Sequence, residues 1–175
     1  MNVPPLVILH HIQKHYSLII AASKNNKRRI LQNKLSMIKT GPIVIVEDDQ
    51  DDCDLFTDAI KDLRIENEVL CFSNGLDALN YLTETRDLPF LIFCDISMPV
   101  MDGLELKRRI EKDEKLKRKS VPIIFFTTAA TPQVAKEAYY LSAQGFFEKP
   151  VKYIDTLVLL KHIIDYWRFS KHPVR

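Results

Sequence analysis

Two rhythms of apolar and polar positions alternate along residues 41–170. Four runs are continuously apolar: Ile43-Val44-Ile45-Val46, Leu91-Ile92-Phe93-Cys94, Ile123-Ile124-Phe125-Phe126 and, after Gly145, Phe146-Phe147. Short runs of this kind between turn residues predict buried parallel strands. Glu68-Val69-Leu70-Cys71-Phe72 is a further strand, second in chain order, closed by the turn Ser73-Asn74-Gly75. Between the strands the apolar residues recur at helical spacing. Leu55, Phe56, Ala59, Ile60 and Leu63 mark a helix through residue 64, and Leu76, Leu79 and Leu82 a short one. Leu104, Leu106, Ile110 and Leu116 follow Gly103, Val134, Ala138 and Leu141 share a face, and Ile154 to Phe169 forms the last helix. Asp51 or Asp52 can cap the first helix by accepting its free N–H groups. Thr131-Pro132 reads as an N-cap with proline at the first helical position. Five strands alternating with five helices predict an α/β fold, a doubly wound five-stranded parallel sheet flanked by helices on both faces.

Each apolar run ends on polar residues. The first leads into Glu47-Asp48-Asp49, the second into Asp95, the third into Thr127-Thr128, and the last through Glu148 to Lys149-Pro150. In an open parallel sheet, ligands bind beyond the carboxyl ends of the strands. Acids, a hydroxyl and an ammonium therefore converge on one edge. Glu47, Asp48 and Asp95 offer the oxygen ligands that Mg²⁺ (or Mn²⁺) prefers. Without a cation, three clustered acids raise one another's pKa values. A bound cation relieves that repulsion and compensates an incoming phosphoryl dianion. Lys149 is a mobile charge suited to a phosphate oxygen or an acceptor carboxylate, and Thr127 offers a hydroxyl donor. Asp95, held in line, can take a phosphoryl group as an acyl phosphate.

Composition refines this picture. The 175 residues suffice for one well-packed domain. A net charge of +2 conceals an asymmetry, because residues 1–40 carry seven Lys/Arg and no acids, while the remainder holds 18 basic and 23 acidic residues. The basic segment, 1–40, is expected to be a poorly ordered or partly helical extension before a domain at 41–170, with 171–175 a short tail. A basic arm for an acidic partner and a membrane-surface helix are its functional readings. Met37 could start a compact product, leaving 1–36 upstream or dispensable. His10, His11 and His15 have helical spacing but no acid or cysteine nearby, which speaks against a metal site. Cys53, Cys71 and Cys94 are expected to be buried small hydrophobes in a reducing compartment, not a disulfide framework. No apolar stretch approaches a bilayer span, so the protein is expected to be soluble and cytoplasmic.

The segments Val46-Glu47-Asp48-Asp49, Asp95-Ile96-Ser97-Met98-Pro99-Val100-Met101-Asp102-Gly103, Phe126-Thr127-Thr128-Ala129 and Glu148-Lys149-Pro150 resemble the receiver domain of two-component response regulators. The resemblance spans roughly residues 41–170 and implies a flavodoxin-like fold. It makes Asp95 the phosphoacceptor and Asp48 the principal Mg²⁺ carboxylate, with Glu47 assisting and the Ser97 backbone carbonyl as a further ligand. Thr127 and Lys149 would contact the phosphoryl group, Phe146 would be the aromatic switch, and the bond before Pro150 would be cis, a state reserved mainly for X–Pro bonds. A histidine kinase or histidine phosphotransfer protein would be the donor. Output would pass to a downstream protein or a self-dimer through the fourth helix, fifth strand and fifth helix. No direct DNA binding and no membrane span are expected.

Neighbouring residues leave choices open. Asp49 aligns beside the acid pair rather than within it. Counting from Pro122 favours Thr127 over Thr128 as the switch hydroxyl. Phe146 and Phe147 point to opposite faces of a strand, so one is expected buried and the other switchable. Tyr139 and Tyr140 are expected to pack, His162 and His172 to lie at the surface, and the run from Lys112 to Lys119 to be a solvated helix end. One rival is a phosphorylation-independent binding module on the same scaffold. Another is a metal-dependent phosphatase with an Asp nucleophile, which needs a second aspartate two residues on, where this chain has Ser97. The expectation is a stand-alone signalling protein with at most slow self-phosphorylation and self-dephosphorylation, not a conventional enzyme.

Overall fold

The structure, a computed structural model, describes residues 39–128 and 130–170. The expected extension up to residue 38, with Met37 and the histidines at 10, 11 and 15, Ala129, and the tail 171–175 with His172 lie outside them. Strands β1 (Ile43–Val46), β2 (Val69–Phe72), β3 (Leu91–Cys94), β4 (Ile123–Thr127) and β5 (Gly145–Glu148) form one sheet in the order β2-β1-β3-β4-β5. All four pairings are parallel. The central strands β1, β3 and β4 are buried along their whole length. Two covered faces leave no polar face to alternate with, which explains their unbroken apolar runs.

The helices are α1 (Gln50–Asp62), α2 (Gly75–Glu84), α3 (Gly103–Lys112), α4 (Glu114–Lys119), α5 (Pro132–Tyr140) and α6 (Tyr153–Phe169). Six lie among the described residues of 41–170, where the pattern predicted five. The difference lies at Asp113, which ends α3 and caps α4 by accepting from the N–H groups of Lys115 and Leu116. A cap satisfies donors that a continuing helix would not leave free. The cap of α1 also differs from expectation: Asp49, not Asp51 or Asp52, accepts from the Asp51 N–H at 2.9 Å. Thr131 caps α5 as its sequence indicated, accepting from Val134 N–H.

Strand residues alternate between two cores. Val44, Val46, Ile92, Cys94 and Phe125 pack with Leu82, Leu106, Leu116 and Ala138 from α2 to α5. Ile43, Ile45, Phe93, Ile124 and Phe126 pack with Phe56 and Ile60 of α1 and Leu160 and Ile164 of α6. Helices therefore cover both faces. In the second core, the Phe126 ring stands nearly perpendicular to those of Phe56 and Phe93, with centroids 5.2 and 5.5 Å away. Edge-to-face pairs of this kind add to the burial energy.

Two expectations fail in the packing. Cys94 is a buried free thiol, but Cys53 and Cys71 form a disulfide between α1 and β2. Helical spacing puts Cys53 on the inner face, and the fold sets it opposite edge strand β2 with a Cα–Cα separation of 6.6 Å, inside bridging range. Tyr139 and Tyr140, expected to pack, are exposed, because α5 turns Ala138 inward instead. No helix among the described residues is long and apolar enough to cross a membrane.

Candidate functional site

The order of winding reverses between β1 and β3, and the crevice of such a sheet opens beyond their carboxyl ends. Backbone bonds fix what reaches it. Glu47 leaves β1 with its N–H on the Phe72 carbonyl at 2.8 Å, and Asp95 leaves β3 with its N–H on the Val46 carbonyl at 2.9 Å. Lys149 leaves β5 with its N–H on the carbonyl of Thr127, the last residue of β4, at 3.0 Å. The sheet ladder thus carries all four positions to one edge.

Glu47, Asp48 and Asp95 each place a carboxylate oxygen within 4.8 Å of the others. Glu47 and Asp95 are buried and Asp48 is exposed. Asp95 Oδ2 accepts the Ser97 N–H at 3.1 Å, whereas the buried Oδ1 has no hydrogen-bond partner. The Lys149 ammonium lies 2.7 Å from Glu47, 2.7 Å from Asp52 and 4.0 Å from Asp95. Burial pushes the Glu47 carboxyl above its usual range, against the opposing pull of Lys149. Burial alone pulls the Lys149 ammonium down, but hydrogen bonds to Asp52 and Glu47 outweigh it together and hold its pKa above the ordinary value. Burial, then the charges of Asp95 and Glu47, drive the Cys94 thiol well above its usual range.

An orphaned carboxylate oxygen is costly when buried. A hard divalent cation satisfies such an oxygen, and the exposed Asp48 leaves the cluster open to solvent. The residues present fit that ion. Glycine is needed at 103, where a Cβ would collide with the Asp95 carbonyl and press on Cys94 Sγ at 3.0 Å. Only a bare backbone lets α3 start this close to the end of β3.

The structure brings together Glu47, Asp48, Asp95 and Lys149. Thr127 is fully buried at the end of β4 and Thr128 is exposed. Phe146 and Phe147 do face opposite cores, but both are partly buried, so exposure does not separate them. The Lys149–Pro150 bond is trans, because no peptide bond among the described residues is cis. The resemblance implied cis; trans is the lower-energy isomer of an X–Pro bond by about 0.5–1 kcal/mol, and Lys149 reaches its partners with the bond in that form. Sequence reading missed Asp52 as a partner of Lys149. Its one signal was its place in the first turn of the helix that follows the acid pair. Lys107, buried on α3 with its ammonium 2.8 Å from Glu111, was also missed.

An open parallel sheet with an acid cluster at its switch point and a lysine across the crevice defines a doubly wound α/β domain with a charged, cation-compatible edge. The chain matches the response regulator receiver domain over residues 43–161, and it belongs to that family. Response regulator Rcp1 of Synechocystis is 27% identical over 130 residues, covering 71% of this chain and 87% of Rcp1. Polar-differentiation response regulator DivK of Brucella anthropi is 30% identical over 118 residues, covering 66% and 91%. The crystal structure of the phosphorylated cyanobacterial phytochrome response regulator RcpA superposes with a TM-score of 0.67 at 25% identity, covering 76% of this chain and 98% of that one. Receiver domains bind a divalent metal ion in an acidic pocket. They take phosphate from histidine kinases or phosphotransfer proteins and are generally signalling proteins.

Proposed function

We propose that Asp95 is the phosphoacceptor of a phosphorylation-dependent signalling switch. The observation that carries this reading is the Asp95 carboxylate itself: buried, with Oδ1 unpartnered, beside two further acids and facing Lys149. Asp95 Oδ1 attacks the phosphorus of a phosphohistidine, the O–P bond forms as the N–P bond breaks, and the imidazole nitrogen keeps the electron pair and takes a proton. Glu47, Asp48, Asp95 and the Ser97 carbonyl would hold Mg²⁺ (or Mn²⁺). When bound, the ion supplies charge neutralisation of the transferring phosphoryl oxygens. The Mn²⁺-bound form known for Rcp1 supports a divalent ion of this size.

Lys149 shifts from its carboxylate partners to a phosphoryl oxygen, and the Thr127 hydroxyl turns to another. Phe146, between the core and solvent on β5, follows into the space behind Thr127. These changes bias the face made by α5, β5 and α6, where Tyr140, Ile154, Tyr166 and Phe169 are exposed. Exposed apolar side chains on such a face suit a protein partner or a second copy. A histidine kinase or phosphotransfer protein is the donor. Intact mass after incubation with acetyl phosphate or phosphoramidate tests the reading. One phosphoryl group should be gained with Mg²⁺, and none by Asp95→Ala. A folded wild type that gains nothing from small donors or from any phosphohistidine protein would favour a phosphorylation-independent binding module.

A further inference from the structure

The Lys149 ammonium has three N–H donors. Two are engaged at 2.7 Å, one by Glu47 Oε2 and one by Asp52 Oδ2, while Asp95 Oδ1 stands 4.0 Å away without a hydrogen-bond partner. Charge-assisted hydrogen bonds need about 2.7–2.9 Å, so the ammonium must travel roughly 1 Å to serve that oxygen. Moving it lengthens at least one existing bond. The two carboxylates that hold it are not equivalent. Glu47 belongs to the acidic cluster with Asp48 and Asp95, and a cation there shares its charge; Asp52 lies outside that cluster. Asp52 is also fixed in place. It occupies the first turn of α1, immediately before Cys53, which is buried and bonded to Cys71 on β2. The turn therefore does not follow the lysine inward.

We propose that Asp52 is a positioning residue for phosphoryl uptake, whose carboxylate retains Lys149 away from Asp95 until the phosphoryl group competes for it. The proposal rests on Asp95 being the acceptor. Asp52 acts as a brake: it sets how fast the site reacts, not which atom reacts. The pair is partly solvated, because the Asp52 side chain is 36% exposed against 11% for Lys149. Its removal should raise the maximal rate by about two- to fivefold, the rate equivalent of a partly solvated ion pair.

The test measures phosphoryl uptake by the full chain from phosphoramidate, as a function of donor concentration and at saturating Mg²⁺. Wild type is compared with Asp52→Asn, Asp52→Glu and Asp51→Asn. Asp51 is exposed in the same turn, so its substitution removes the same charge one residue away. Asp52→Asn should raise the rate at saturating donor. Asp52→Glu should restore it, and Asp51→Asn should at most shift the half-saturating donor concentration. A merely structural Asp52 would give a less stable protein, not a faster one. In the Mg²⁺-free protein, NMR coupling through the hydrogen bond from Lys149 Nζ to the Asp52 carboxyl carbon should be present, and absent in Asp52→Asn. An unchanged or lower maximal rate in Asp52→Asn, or an equal rise in Asp51→Asn, overturns the brake while leaving the acceptor reading intact. A wild type that takes up no phosphoryl group brings down both.

Discussion

Lys149 faces Glu47, Asp52 and Asp95, and replacing it by methionine leaves those carboxylates without their shared counter-charge. The side chains of Glu47 and Asp95 are 6% and 7% exposed, so both stay desolvated when the ammonium goes. Removing one partner of a buried ion pair costs about 3–5 kcal/mol, because the other charge stays behind uncompensated. The value expected for Lys149→Met is near the lower end, since solvent screens Asp52. Glu47→Gln has the opposite character. It deletes one surplus buried negative charge, whose proton affinity burial has already raised, and leaves Lys149 paired with Asp52. Its stability should fall within about 1 kcal/mol of wild type or exceed it. Urea unfolding of the three proteins, with and without Mg²⁺, reads these values directly. The gap between wild type and Lys149→Met should narrow in Mg²⁺, because a cation takes over the compensation. A loss below about 1 kcal/mol for Lys149→Met, or an equal loss for Glu47→Gln, would refute the electrostatic account.

Tyr153 donates its hydroxyl to Asp62 at 2.7 Å, and that bond pushes its pKa up to about 12. The stabilisation belongs to the protonated phenol: it is fully present below the ordinary value of 10.0 and lost as pH rises through 12. Ultraviolet titration of wild type against Tyr153→Phe should reveal this late phase, and Asp62→Asn should return it to the ordinary range. Gly103→Ala should displace the Asp95 carbonyl and slow phosphoryl uptake at saturating donor; an unimpaired rate would show that the helix start can shift freely. Phe126→Ala removes the ring that Phe56 and Phe93 stack against, and should cost about 3–5 kcal/mol in urea unfolding.

Strands, crossovers and the main acids were legible because each follows from a local rule. β1, β3 and β4 announce themselves as unbroken apolar runs, and parallel winding then requires their polar ends to share an edge. Thr131-Pro132 named its own helix start. What was not legible depends on which element lies opposite another. The sequence pointed to Asp51 or Asp52 as the cap of α1, and only the backbone path decides for Asp49. Asp113 sits within a run of charges, where nothing in the apolar period marks a break, yet its side chain ends one helix and starts the next. Cys53 and Cys71 are 18 positions apart, and their pairing needs α1 to lie against β2. Asp52 reads as one more acid in a helix's first turn until the fold sets Lys149 against it.

The central claim concerns one aspartate. The most direct test is borohydride reduction of the protein after Mg²⁺-dependent phosphorylation, which converts an aspartyl phosphate to homoserine, followed by fragment mass mapping. The account predicts homoserine at position 95 and nowhere else. Homoserine at Asp48, at Asp52 or at another acid, with Asp95 unmodified, would contradict it.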